Sequence, residues 1–160
     1  NLVLGKHSGR HALKEALAMK ELQRDSRQTV QELSAKVGLS VSPCWRRVKE
    51  LEATGVVRRY TALVEREKVG LSACILAQVS LLRQTEGAAE QFESAMHACA
   101  EVIECYSVTG DADYVIKVVL PDVKAYDAFL HRVMFKIKDI GTLRSMVVLR
   151  EVKYETALPV

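Results

Sequence analysis

Apolar residues recur along this chain with two different periods, and the change from one period to the other divides it. Between Ala12 and Ala53 the spacing is helical. Val30, Leu33 and Val37 share one face of a segment that opens at Thr29. Cys44, Val48 and Leu51, with Val41 beside them, form the apolar stripe of a helix that follows at once. Val37-Gly38-Leu39-Ser40 between the two reads as a short turn, with Gly38 free to take a positive φ. Ser40 is placed as the N-cap of the second helix, and Pro43 stands in its first turn, where no backbone donor is lost. Ahead of both, Ala12 to Leu22 is helix-forming, with Leu13, Ala16 and Leu17 as its apolar positions.

After this region the pattern loosens and then shortens. Gly55-Val56-Val57-Arg58-Arg59-Tyr60 reads as a small wing or exit strand, continued by a short strand from Thr61 to Val64. Glu65 to Gly70 is charged and ends in glycine, as a linker would. From Ala73 the period falls to two: Ala73, Ile75, Ala77, Val79 and Leu81 alternate with Cys74, Leu76, Gln78 and Ser80. Ala89, Phe92, Met96 and Cys99 then line a helix. Val102 to Thr109 is a second strand, Gly110-Asp111-Ala112-Asp113 a turn, and Tyr114 to Leu120 a third strand stopped by Pro121. Val123, Tyr126, Leu130, Val133 and Ile137 mark another helix, N-capped by Asp122, and Leu143 to Lys153 is the last strand.

The order strand, helix, strand, strand, helix, strand is that of a ferredoxin-like βαββαβ domain, an antiparallel sheet with both helices on one face. The fold class is therefore α+β. The expected division is an atypical segment at 1–19, a helix-turn-helix domain at 20–60, a linker strand at 61–70 and the ferredoxin-like domain at 71–160. Leu76, Leu82, Cys105 and Val147 are assigned to the sheet face opposite the helices. A face that apolar is expected to be covered by another subunit.

The helix from Ser40 to Ala53 sorts its residues by chemistry. Ser42, Arg46 and Lys49 lie opposite the apolar stripe, with Arg47 and Trp45 on the flanks. Two helices joined by about four residues set the second one in the major groove of duplex DNA. Ser40, Ser42, Pro43, Arg46, Arg47, Lys49, Arg58 and Arg59 are the candidate DNA-binding residues: Arg46 for a base edge or phosphate, Arg47 on its flank for a phosphate or a packing contact, and Arg58 or Arg59 for phosphates. Charge agrees. The net +3 conceals a basic head, since residues 1–60 carry 12 Lys or Arg against 6 Asp or Glu, while residues 61–160 carry 11 against 14.

The four cysteines, Cys44, Cys74, Cys99 and Cys105, show neither a CxxC pair nor metal-ligand spacing, so neither metal nor cofactor is expected and a reduced, cytoplasmic setting is the simplest account. No apolar run approaches the roughly 18 residues of a membrane span. Nor does any nucleophile–base pair or phosphate loop point to catalysis.

Taken together, these motifs resemble the Lrp/AsnC family of transcription regulators. The resemblance is carried by Leu22-Gln23-Arg24-Asp25-Ser26-Arg27, by Leu33-Ser34-Ala35-Lys36-Val37-Gly38-Leu39-Ser40, and by Ser42-Pro43-Cys44 with Arg47-Val48-Lys49 and Leu51-Glu52. Gly55-Val56-Val57, Tyr60-Thr61-Ala62, Gly110-Asp111-Ala112-Asp113-Tyr114 and Val152-Lys153 extend it. It implies a winged helix-turn-helix joined to a ferredoxin-like domain that binds a small effector, typically an amino acid. It also implies homodimers paired through their sheets and assembling into tetramers or octamers. Gly110, Asp111 and Asp113 are its effector-loop residues, and Ser145 falls where many relatives have a threonine.

The opening does not fit. Gly5-Lys6-His7-Ser8-Gly9-Arg10-His11-Ala12 resembles a segment of 2-isopropylmalate and homocitrate synthases, without the barrel or the metal-binding histidines, and is read as a junction or a coincidence. Gly9 between His7 and His11 argues against a helix there. The alternative to a regulator is a metabolite-binding ferredoxin-like protein, or a small enzyme, with no role at DNA.

Overall fold

Three helices, α1 (Gly9–Arg24), α2 (Val30–Val37) and α3 (Val41–Ala53), form most of the first of two units into which the chain divides. The computed structural model describes residues 9–82 and 85–160, with the backbone alone for residues 9–11. The synthase-like opening through Ser8, His7 included, lies outside the described residues, as does the side chain of His11. Helix α1 starts at Gly9, earlier than the glycine suggested.

Each turn of this unit has a local cause. Thr29 caps α2 through a reciprocal pair: its hydroxyl accepts from the Glu32 amide at 3.2 Å, and the Glu32 carboxylate accepts from the Thr29 amide at 2.7 Å. Gly38 ends the helix with φ 64, a left-handed conformation that a side chain would strain, and its N–H closes on the Ser34 carbonyl. Ser40 then occupies the N-cap position of α3 in extended geometry, although its side chain makes no capping bond.

Ala18, Leu33, Val37, Cys44 and Val48 are the buried centre, with Leu22, Val30 and Leu39 packed against it. Two expectations change here. On α1 the packed positions are Ala18 and Leu22, while Leu13 is 61% exposed. Leu13 lies about 140° round the helix from Ala18, so the two cannot face the same neighbours. On α3, Val41 is exposed instead of joining the stripe.

The segment after α3, expected as a wing or exit strand, forms no strand among the described residues. Gly55 (φ 73) and the bond from the Val57 amide to the Leu51 carbonyl (2.9 Å) turn the chain away from the helix. Residues 57–64 then run without ladder hydrogen bonds among the described residues. A β-propensity run becomes a strand only where a partner edge is present. Lys153–Val160 also belongs to this unit and not to the sheet domain. The Gln23 carboxamide grips Leu158 from both sides, donating to its carbonyl at 3.1 Å and accepting from its amide at 2.6 Å.

The second unit, Val64–Val152, holds β1 (Ala73–Leu81), α4 (Glu86–His97), β2 (Val102–Ser107), β3 (Tyr114–Leu120), α5 (Val123–Arg132) and β4 (Ile140–Val147). Its strands are antiparallel in the order β2-β3-β1-β4, with both helices packed on one face: the ferredoxin-like arrangement. Asp122 and Thr85 cap the two helices, the former accepting from the Ala125 amide at 2.7 Å. The residues expected to form a linker at 65–70 are instead folded into this unit. A 3-10 turn at Glu67–Val69 ends on Gly70 (φ 81), and the Arg66 guanidinium holds the Leu71 and Ser72 carbonyls.

Alternation on β1 is read directly into burial. Ile75, Ala77 and Val79 face Val118, Ile116 and Tyr114 across the ladder and, together with Phe92, Met96, Tyr126 and Phe129, fill the core. Each large apolar side chain removed from water here contributes about 1.5–3 kcal/mol.

The opposite face needs correction. Residues directly paired across an antiparallel ladder point to the same side. Val147 pairs with Ile75, and Cys105 with Ile116, so both lie on the helix face, and Leu82 falls beyond β1. The open face carries Cys74, Leu76, Gln78, Val115, Val119, Tyr106 and Met146, crossed by an ion pair between Lys117 and Glu104 at 3.3 Å. It is mixed rather than uniformly apolar. The last strand also begins and ends earlier than expected, at Ile140–Val147 instead of Leu143 to Lys153.

The Thr29 cap makes a pH-dependent prediction. The Thr29 amide, and then its hydroxyl, hold the Glu32 carboxyl below its ordinary value. A depressed carboxyl contributes stability above its unfolded-state pKa and loses it as pH falls through the folded one. Thr29→Ala is expected to cost about 1 kcal/mol at neutral pH. Glu32→Gln should flatten the acid side of the stability curve, measured by urea denaturation from pH 3 to 7.

Candidate DNA-binding surface and effector loop

Helix α3 is amphipathic in a way that leaves little choice about its orientation. Cys44, Val48 and Leu51 are buried, and Ser42, Trp45, Arg46 and Lys49 are exposed on the other side. Burying the apolar side against α1 and α2 turns the polar side out. Acidic residues one turn on restrain the cations: Arg46 lies 3.8 Å from Glu50, and Lys49 lies 2.7 Å from Glu52. Exposed pairs like these contribute little to stability and hold the side chains along the helix at low cost in exchange for a better anion.

Of the other sequence-derived positions, Ser40, Arg58 and Arg59 are exposed and Pro43 is half-buried. Tyr60 donates its hydroxyl to Glu52 at 2.9 Å, which ties the segment carrying both arginines back to α3. Partial desolvation and then the Glu52 bond push the Tyr60 phenol up to about 12, so it remains a donor.

Of the two roles open to Arg47, phosphate or packing, the structure favours packing. Arg47 is only 9% exposed, and its Nη1 lies 3.1 Å from the Glu15 carboxylate of α1. One residue on from Arg46, it is turned by about 100° toward the helix interface. It is therefore a structural cation, and it is withdrawn from the phosphate-contact set.

The glycine-aspartate loop in the second unit is positioned by the end of β1. Gly110 takes φ 114, a conformation that favours glycine. Ser80 donates to the Asp111 carbonyl at 3.1 Å, the Asp113 amide donates to Val79, and the Asp113 carboxylate accepts from the Leu81 amide at 2.7 Å. Asp113 thus locks the β2–β3 loop onto β1.

Beside it opens a cavity of about 240 Å³ lined by Leu81, Thr85, Glu86, Ser107, Val108 and Asp113, among others. Gly110, Asp111 and Ser145 are not among its lining residues. Ser145 sits on β4 and shares a 2.6 Å hydrogen bond with the Tyr126 hydroxyl, where it joins strand to helix. Thr85, Glu86 and Ser107 were missed in the sequence. Only the cap signature at Thr85 could have drawn attention to them.

Comparison with known proteins agrees with the division into two domains. Residues 18–58 match the family model described as winged helix-turn-helix DNA-binding, and residues 74–158 match that of the Lrp/AsnC ligand binding domain. The chain is 37% identical over 140 residues to the leucine-responsive regulatory protein of Klebsiella pneumoniae, spanning 88% of this chain and 85% of that one. Among solved structures, a transcriptional regulator from Neisseria meningitidis, crystallised as an L-Met complex, superposes with a TM-score of 0.87 at 35% identity. That match covers 91% of this chain and 94% of the other. An AsnC family transcriptional regulator from Agrobacterium tumefaciens gives 0.86 at 36% identity, covering 91% and 95%.

Removing one partner of a largely buried ion pair is costlier than replacing it with a fitting apolar side chain. Arg47→Ala should lower the stability of the helical unit by about 3 kcal/mol, and Arg47→Met should recover much of that. Arg46→Ala, on the exposed face, should leave it unchanged. Denaturant titration followed by circular dichroism checks all three.

Proposed function

The chain belongs to the Lrp/AsnC family, and from that membership we propose that it regulates transcription by binding duplex DNA through α3, with an amino acid or a related small molecule as effector. The observation that carries this reading is the orientation of α3, whose apolar stripe is buried while Ser42, Arg46 and Lys49 face outward. In a helix-turn-helix the second helix enters the major groove and its N-terminal residues meet base edges. Arg46 and Ser42 are assigned there. Lys49, Arg58 and Arg59 are assigned to phosphates, and Ser40 and Pro43 shape the helix entrance.

The effector is assigned to the cavity beside the glycine-aspartate loop. A volume of about 240 Å³ lies below the roughly 300–1,000 Å³ of sites for drug-sized ligands, which suits a single amino acid. Glu86 supplies a carboxylate for an ammonium group, Thr85 and Ser107 supply hydroxyls, and Leu81 and Val108 supply an apolar wall. Gly110, Asp111 and Asp113 shape the rim by holding the loop to β1. Ser145, committed to Tyr126, is a weaker member of the set.

Tyr106 (55% exposed) and Met146 (45% exposed) on the open sheet face are assigned to pairing with a second copy. Homodimers built this way would set two recognition helices on one duplex, and assembly into tetramers or octamers would extend the contact. Such a regulator works in the cytoplasm, where the DNA is, and no enzymatic step is assigned to it. Among the described residues, no helix is long and apolar enough to cross a membrane.

Three measurements test this. DNA binding should weaken steeply with salt, and Arg58→Ala or Arg59→Ala should each reduce the log–log slope by about one, whereas Arg47→Met should not. Arg46→Ala should cost about 1–3 kcal/mol in affinity for a selected site; unchanged retention in a gel shift would defeat the assignment of α3. A thermal-shift screen against the twenty amino acids should find one or more that raise the melting temperature, an effect that Glu86→Gln should weaken.

A further inference from the structure

Trp45 is the chain's single tryptophan, and it is 53% exposed near the middle of α3. At about 100° per residue, and counting from Val41, Trp45 lies at about 40°, Lys49 at about 80°, Ser42 at about 100° and Arg46 at about 140°. The indole is therefore at the edge of the outward face, on the flank where helical counting puts it, and it is exposed there between Val41 and Lys49. Among the described residues no ring, cation or hydrogen-bond partner engages it. The opposite stripe is already filled by Cys44, Val48 and Leu51. Trp45 is not part of the buried centre of this unit, and half of its surface is left in water beside Ser42, Arg46 and Lys49.

An apolar group has one chemically specific target in the major groove: the thymine C5-methyl, which projects from the base edge beside the hydrogen-bonding atoms. We infer that Trp45, backed by Val41, is the apolar reader of this surface and packs against thymine methyls while Ser42, Arg46 and Lys49 make the polar and phosphate contacts. The cations beside it supply the complementarity to a polyanion that selects DNA over an apolar protein groove as the occupant. The inference rests on α3 entering the groove, and adds a residue and a base preference to that reading. Sites bound by this chain should be enriched in thymine at positions under the first two turns of α3.

The lone tryptophan makes its own probe. Duplexes are selected from a random pool with the full chain, and the best is titrated while tryptophan emission is followed. Emission should shift or quench and saturate with DNA. Replacing each thymine in turn by uracil, which removes only the methyl, should weaken binding several-fold at one or two positions. In Trp45→Ala, whose thermal stability should match the parent, affinity should fall by at least about tenfold, the scale of one apolar side chain denied burial. The uracil penalty should vanish in that variant, and Trp45→Phe should restore part of it. Emission unchanged at saturating DNA, or equal uracil penalties in parent and Trp45→Ala, would overturn the inference and leave base reading by Arg46 intact. Retention of no duplex at all, with Arg46→Ala and Lys49→Ala also without effect, would overturn the DNA reading together with it.

Discussion

Burial of the Cys44–Val48–Leu51 stripe is the constraint on which the outward basic surface of α3 depends. A helix of thirteen residues cannot turn about its axis once three side chains on one face are removed from water. The outward placement of Ser42, Trp45, Arg46 and Lys49 follows from that and needs no contact of its own. The supports are local: the Thr29–Glu32 capping pair starts α2, Gly38 ends it, and Ala18 of α1 packs into the same centre. The Arg47–Glu15 pair then links α3 to α1 with charges nearly withdrawn from solvent. A cation in that position contributes register between helices, and it is unavailable to a phosphate.

In the second unit the corresponding constraint is the alternation of β1. One set of side chains enters the core beneath α4 and α5, and the other set faces away. The loop joining β2 and β3 is drawn onto the end of β1 by Asp113 and Ser80, and this places a small cavity of mixed lining beside the start of α4. The aspartate that family resemblance offered as a ligand is thus first a structural clamp. Thr85 and Glu86, at the start of α4, line the same cavity from the other side.

Much of this was legible in the residues. Val30, Leu33 and Val37 announced α2, Gly38 its end and Asp122 the cap of α5. Tyr114–Leu120 appeared as a strand with the boundaries the structure shows. These are matters of local propensity and period, which a few neighbouring residues decide. Errors gathered where the partner is distant in sequence. The run at residues 55–64 has strand-like composition but forms no strand pairing among the described residues. Val147 and Cys105 were put on the wrong face because the side they share is known only from the ladder register. Gln23 and Leu158 lie 135 positions apart, a pairing no window could reveal.

By itself the sequence determined the two-part organisation, the element order, the family and the face of α3 that carries Ser42, Arg46 and Lys49, because periodicity and turn chemistry are written in adjacent residues. Tertiary structure decided which cation is spent inside the fold, which apolar side chain is left outside it, and which groups gather beside the glycine-aspartate loop. Arg46 and Arg47 are chemically alike and adjacent, and only the position of Glu15 on another helix separates a surface contact from a buried strut. The exposure of Trp45 is likewise set by what α1 and α2 cover and what they leave open.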